Sequence, residues 1–128
     1  MRVLSQRAHG ALDYIVGALL ILAPRLLGYD NGGAEQRVPE MLGIAIIVYS
    51  LVTNYELGLL KLIPFRVHLT LDGLGSIFLA LSPWLFQFSD RVWVPHMVVG
   101  LLVLAVALMT RTSVVVRHAA TPGLPAHQ

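Results

Sequence analysis

Arg7-Ala8-His9-Gly10-Ala11-Leu12-Asp13 is answered fifty-nine positions later by Arg66-Val67-His68-Leu69-Thr70-Leu71-Asp72. Each copy opens an apolar run, and each run meets a proline eleven residues past its aspartate, at Pro24 and Pro83. Arginine, histidine, leucine, aspartate and proline recurring at one offset mark a tandem duplication. The reading predicts one domain over residues 1–128, with a first repeat at 7–58 and a second at 66–112. The second halves match more loosely, Pro39 with Pro95, Met41 with Met97, Gly43 with Gly100, Leu51 with Leu108 and Thr53 with Thr110. Their offset of 56 or 57 reflects loops of unequal length.

Composition says what surrounds these repeats. The chain is 56% hydrophobic and 12% charged, with a mean hydropathy of +0.73. Ordinary soluble domains carry about 25% charged residues. So apolar and short a chain has too little polar surface to cover itself, which points to lipid as its main solvent. The net charge of +2 is spread along the chain. That lacks the clustered basic face of a nucleic-acid binder, so no nucleic-acid partner is expected. Without cysteine there is no disulfide, thiolate metal site, Fe–S cluster or CxxC redox centre within the chain.

Four apolar segments follow, at about residues 8–27, 39–58, 67–86 and 95–110. Each approaches the roughly 20 residues that cross a bilayer core of about 30 Å. Asp13 inside the first segment, the absence of an A-x-A site after it and its recurrence in mid-chain argue against a signal peptide. Pro39 and Pro95 are expected to open their helices, where a missing N–H costs nothing. Asp30-Asn31-Gly32-Gly33 is turn chemistry. The fold class is therefore all-α, with four transmembrane helices arranged as two parallel helix hairpins. Their pseudo-twofold axis should run along the membrane normal. Residues 113–128 are read as a cytoplasmic tail. One side would carry Arg2, Arg7, Lys61, Arg66, Arg111 and Arg117, and the other Arg25, Arg37 and Arg91. An excess of basic residues marks the cytoplasmic face, which places both termini there.

Ser82-Pro83-Trp84 closes the third segment, and Ala23-Pro24-Arg25 is its degenerate copy in the first. With the duplication and the paired helices, the chain resembles the SPW-repeat family over most of residues 7–110. The resemblance implies a small bacterial integral membrane protein, hence the inner membrane, and supplies no activity. Physically, Pro83 removes a helix hydrogen bond that Ser82 can replace. Trp84 stands where an interfacial aromatic anchor belongs, with Trp93, Tyr29 and Phe88 in the same belt.

The chemistry-bearing residues are the repeated ones. His9 and Asp13 are four apart and share a helix face, as do His68 and Asp72. An aspartate inside a bilayer costs about 2.5–3.5 kcal/mol at its centre, so these groups must face one another or a polar cavity. The first reading is an inter-repeat polar cluster pairing His9 with Asp72 and His68 with Asp13, closed by Arg7 and Arg66. The second is a metal, haem or pigment ligand set made of His9, Asp13, His68 and Asp72. A third is a membrane enzyme, transporter or ion path for which a cavity would reach Asp13 and Asp72. The long uncharged stretches of the second and fourth segments speak against a continuous relay. Glu40 and His96, beside Pro39 and Pro95, are expected at the interface. Tyr49, Ser50, Thr53, Asn54, Tyr55 and Glu56, near the level of the His/Asp cluster if the helices are antiparallel neighbours, could line a shallow pocket, but are expected as solvated helix-end residues. No catalytic signature is present, so an enzyme is not expected. The expected role is structural, a membrane protein that self-associates as a homo-oligomer or serves as an accessory subunit beside other membrane-protein subunits.

Overall fold

Ser5 starts the first helix, because its hydroxyl accepts the Ala8 N–H at 3.1 Å. The computed structural model describes residues 3–110 and 112. Four helices follow in order: α1 at Gln6–Leu27, α2 at Ala34–Leu51, α3 at Phe65–Leu85 and α4 at Val94–Met109. Among the described residues there is no strand, only two isolated bridges. The expected tail at 113–128 lies outside the described residues, as do Arg2 and Arg111.

Three helix boundaries fall within two residues of the apolar segments, and α2 does not. It begins five residues before Pro39 and stops at Leu51. Asn31 Oδ1 accepts the Gly33 N–H at 2.9 Å, and Gln36 Oε1 accepts the Gly32 N–H at 2.7 Å. Those bonds fix the turn and let the helix start at once, so Pro39 sits inside it. At the other end, residues 52–64 leave the helix for a hydrogen-bonded linker in which Asn54 N–H donates to the Ile63 carbonyl at 2.8 Å.

The helices pack as two hairpins, α1 on α2 and α3 on α4, with α2 also against α3. The hairpins cross at equivalent small residues. A Cβ on Gly43 would stand 2.5 Å from the Gly17 carbonyl oxygen, and one on Gly100 would stand 2.7 Å from that of Ser76. Only glycine permits that approach, as in helix pairs that bring their backbones together. The two hairpins are tied by matching bridges. Leu4, before α1, pairs with Thr110 after α4, and Ile63, before α3, pairs with Thr53 after α2. Leu4 and Ile63 are fifty-nine apart, like the two histidines, so the tie obeys the repeat.

Burial runs against the soluble-protein pattern. The apolar core is small, built on Leu20, Val38, Ile46 and Leu79. His9, Asp13, Ser50, Thr53, His68, Asp72 and Thr110 are all buried, while Ile15, Leu19, Leu22, Leu74, Leu101 and Leu108 are exposed. Four spans were expected. By length and composition α1 is long and apolar enough to cross a membrane, and α4 is a shorter apolar helix. The others differ for a visible reason. The first turns of α2 hold Glu35, Gln36, Arg37 and Glu40, and α3 carries Arg66, His68 and Asp72.

Pro24, Pro39 and Pro83 lie inside helices and leave carbonyls without their i+4 donor; the last two have visible replacements. Pro83 frees the Leu79 carbonyl, which takes the Ser82 hydroxyl at 2.7 Å. Pro39 frees the Glu35 carbonyl, which takes Nε2–H of His96 at 2.9 Å. His96 is therefore buried instead of interfacial, packed by Phe88 and Tyr29 at ring distances of 4.9 and 5.4 Å. Phe88 leaves the expected aromatic belt for the same reason and is wholly buried, and Tyr29 is half-buried. Trp84 and Trp93 stay exposed with their rings 6.1 Å apart. Arg25 pairs with Glu40 at 3.1 Å, and Arg91 with the buried Glu35 at 2.8 Å.

Candidate metal centre

His9 and Asp13 lie on successive turns of α1, and His68 and Asp72 on successive turns of α3. Both pairs face inward, where the bridges at Leu4 and Ile63 hold the starts of these helices against the ends of α4 and α2. All four residues are buried. His9 Nε2 is 2.8 Å from Asp72 Oδ2 and 3.2 Å from Asp13 Oδ1. His68 Nε2 is 3.0 Å from Asp13 Oδ2 and 3.2 Å from Asp72 Oδ2. Each histidine thus meets the aspartate of both repeats. One ligand atom from each residue can be chosen so that all four lie within 4.8 Å of one another.

The far side of each imidazole is also engaged. His9 Nδ1 is 2.8 Å from Thr110 Oγ1, and His68 Nδ1 is 2.8 Å from Thr53 Oγ1. Both threonine hydroxyls already donate backwards along their helices, to the Val106 carbonyl at 2.6 Å and the Tyr49 carbonyl at 2.5 Å. A hydroxyl has one hydrogen, so each Oγ1 accepts from the imidazole. The network therefore assigns Nδ1–H to both histidines and turns both Nε2 atoms toward the carboxylates.

The carboxylates have partners of their own. Tyr49 donates a short hydrogen bond to Asp72 Oδ1. Tyr55 and Ser50 donate to Asp13 Oδ2 at 3.3 and 3.5 Å. These residues, with Thr53, were expected as solvated helix-end groups. Ser50, Thr53 and Tyr55 are instead buried, because α2 ends beside the quartet and turns its polar face onto it. Asn54 and Glu56 are exposed, as expected. The signal that could have found Thr53 was its match with Thr110.

Arg7 and Arg66, expected to close the network, are both exposed and form no ion pair with the quartet among the described residues. Each precedes its histidine by two residues, which turns it to a different face of the helix. Among the described residues, the two buried carboxylates thus have no lysine or arginine partner. Their charge is balanced by protons, on the Nε2 atoms or on the carboxyls, or by a cation among the four groups. His68 Nε2 lies close to both aspartates yet is in line for a hydrogen bond with neither.

The quartet suits a metal ion better than a macrocycle. Tetrahedral ligands at about 2.0–2.1 Å from zinc stand roughly 3.3 Å from one another; the N···O separations here, which use both oxygens of Asp13, are 2.8–3.2 Å, and one ligand atom from each residue keeps the set within 4.8 Å. A haem or pigment between His9 and His68 does not fit. Their rings are 5.4 Å apart with carboxylates between them, and the two cavities touching the quartet measure about 40 and about 150 Å³. Pockets for molecules of drug size and above begin at about 300 Å³.

A family model described as the SPW repeat domain matches residues 7–110. Neither a comparison with curated proteins nor one with solved structures found a match.

Proposed function

The chain belongs to the SPW repeat family, and from the geometry of its buried quartet we propose a membrane-embedded protein of two hairpins that binds one divalent first-row metal ion. His9, Asp13, His68 and Asp72 are the ligands, and the ion clasps the two repeats. The observation that carries this reading is the double commitment of the histidines. Both Nδ1–H groups are held by threonines that can only accept, so two Nε2 atoms converge on two carboxylates with no lysine or arginine of the described residues among them. An imidazole held through its far nitrogen is the usual setting of a metal-bound histidine. Two carboxylates and two neutral imidazoles carry two negative charges, which a dication neutralises. Imidazole with carboxylate favours zinc, iron or manganese over calcium.

Membrane embedding is supported by the family, by α1 and by the apolar exterior around a polar interior. In lipid that distribution is the stable one, because buried polar groups satisfy each other and leucine faces hydrocarbon. The proposed address is a bacterial inner membrane with both termini in the cytoplasm. The exposed leucines would meet lipid, a second copy, or other subunits of a membrane assembly in which this protein serves as an accessory. A second reading keeps the clasp without the ion, as two imidazolium–carboxylate pairs. The 2.8 Å bond from His9 to Asp72 favours it at one corner.

Metal analysis and zinc titration of the detergent-purified protein test the choice, beside His9→Ala/His68→Ala. One ion per chain, absent from the double variant, is expected. A wild type that stays metal-free after dialysis against zinc would overturn the metal reading and leave the protonated clasp. Binding in both proteins would move the ion elsewhere.

A further inference from the structure

The two halves of the quartet are not alike on one side. Tyr49 and Val106 are equivalent positions, since each carbonyl receives the hydroxyl of the threonine four residues on, Thr53 or Thr110. The Tyr49 ring stands edge-on to His68, centroids 4.9 Å apart, and its hydroxyl donates to Asp72. Val106 has neither ring nor hydroxyl to offer His9 and Asp13. Where the second ring would lie, between α1 and α4, there is a cavity of about 150 Å³. Val106 forms part of its apolar wall, and it reaches His9, Asp13 and Asp72. Leu102, another wall residue, is more than half exposed, so the cavity lies just beneath the outer surface.

We propose that this cavity is a binding site for a small aromatic alcohol of the phenol class. The ring would occupy the place that the Tyr49 ring fills in the other half, and the hydroxyl would donate to the Asp13 carboxylate as Tyr49 donates to Asp72. Size supports the ring, since an apolar cavity of about 150 Å³ holds one benzene-sized molecule. Polarity supports the hydroxyl, since an ionised carboxylate only accepts hydrogen bonds and the remaining walls are almost wholly apolar. The site shares Asp13 with the quartet but does not need the metal, because a carboxylate can take a hydroxyl beside its histidines, as Asp72 takes Tyr49 on Oδ1 while its Oδ2 faces both imidazoles.

The test is fluorine NMR with 4-fluorophenol and 4-fluorotoluene on the full chain in detergent, both chelator-treated and zinc-loaded. Wild type is expected to show a saturable bound resonance for the phenol and binding about 10-fold weaker for the toluene, the worth of one hydrogen bond to a charged acceptor. Val106→Tyr puts the ring in place and should abolish the phenol resonance. Val106→Leu narrows the cavity without a hydroxyl and should weaken both ligands, and it serves if the tyrosine variant does not fold. Equal binding of the two ligands would reduce the site to an apolar void and overturn the proposal. Phenol binding unchanged in both Val106 variants would overturn it as well. Phenol binding in chelator-treated protein that takes up no zinc would leave this proposal standing and sink only the metal reading.

Discussion

Thr110, at the end of α4, receives the Nδ1–H of His9, at the start of α1, at 2.8 Å and 101 residues away in sequence. The same bond joins Thr53 to His68. Each histidine is thus oriented by the closing residue of the other repeat, beside the bridge that ties the repeats together. Replacing Thr110 or Thr53 by valine keeps the shape and removes the acceptor. Metal affinity should fall about 10–100-fold, the usual effect of losing an outer-shell partner. The stranded Nδ1–H should cost about 1–3 kcal/mol of stability. Serine at either position should restore most of both, as read by zinc titration and thermal unfolding.

Gly100 and Gly73 are both helix glycines with opposite surroundings. A methyl at Gly100 would meet the Ser76 carbonyl oxygen at 2.7 Å and Ala80 at 2.8 Å, whereas one at Gly73 meets nothing within 4 Å. Gly100→Ala is expected to cost about 1–3 kcal/mol by forcing α3 and α4 apart. Gly73→Ala should be neutral or gain about 0.5–1 kcal/mol. Unfolding midpoints in detergent compare them, and equal effects would show that the crossing at Gly100 is not tight.

Ser82 and Pro83 should be coupled. Alone, Ser82→Ala strands the Leu79 carbonyl and should cost about 1–3 kcal/mol. With Pro83→Ala already present, residue 83 regains its N–H and that carbonyl its ordinary partner, so the serine change should cost much less. A double-mutant cycle reads the difference. Additive effects would mean that the hydroxyl does not replace the missing bond.

Glu35 predicts a pH effect at the opposite end of the bundle. It lies in the polar first turn of α2, ahead of the apolar stretch that begins at Pro39. Burial pushes its carboxyl up. Hydrogen bonds from Asn31, from its own backbone and from Arg91, with the charge of Arg91, outweigh that and hold it below the ordinary value of 4.5. A carboxyl depressed in the folded state adds stability that is fully present above its unfolded pKa and is lost as pH falls through the folded one. Wild type should therefore lose its advantage over Glu35→Gln as pH drops below about 4.5. Unfolding curves at pH 7 and in the acid range check this, and a constant difference would show that Glu35 is not the titrating group.

The sequence alone determined the duplication, the four helices and the identity of the four central residues. A repeat at one offset and an apolar run with its turn signals are local properties, legible without coordinates. The same reasoning reached Ser82 and the carbonyl freed by Pro83, because both lie within one helical turn. Only the tertiary structure decided the rest. Thr53, Ser50 and Tyr55 read as solvated helix ends because nothing local says that α2 stops beside the quartet. Arg7 and Arg66 belong to the repeated motif, yet a two-residue step carries them to another face of the helix. His96 looked interfacial until Pro39, on a different helix, was seen to free the carbonyl it binds. The cavity left by valine where the other half has tyrosine is a difference between equivalent positions. It acquires meaning only once both are seen around one pair of aspartates, because hydrogen bonds and voids between distant segments are set by packing and not by the pattern within either.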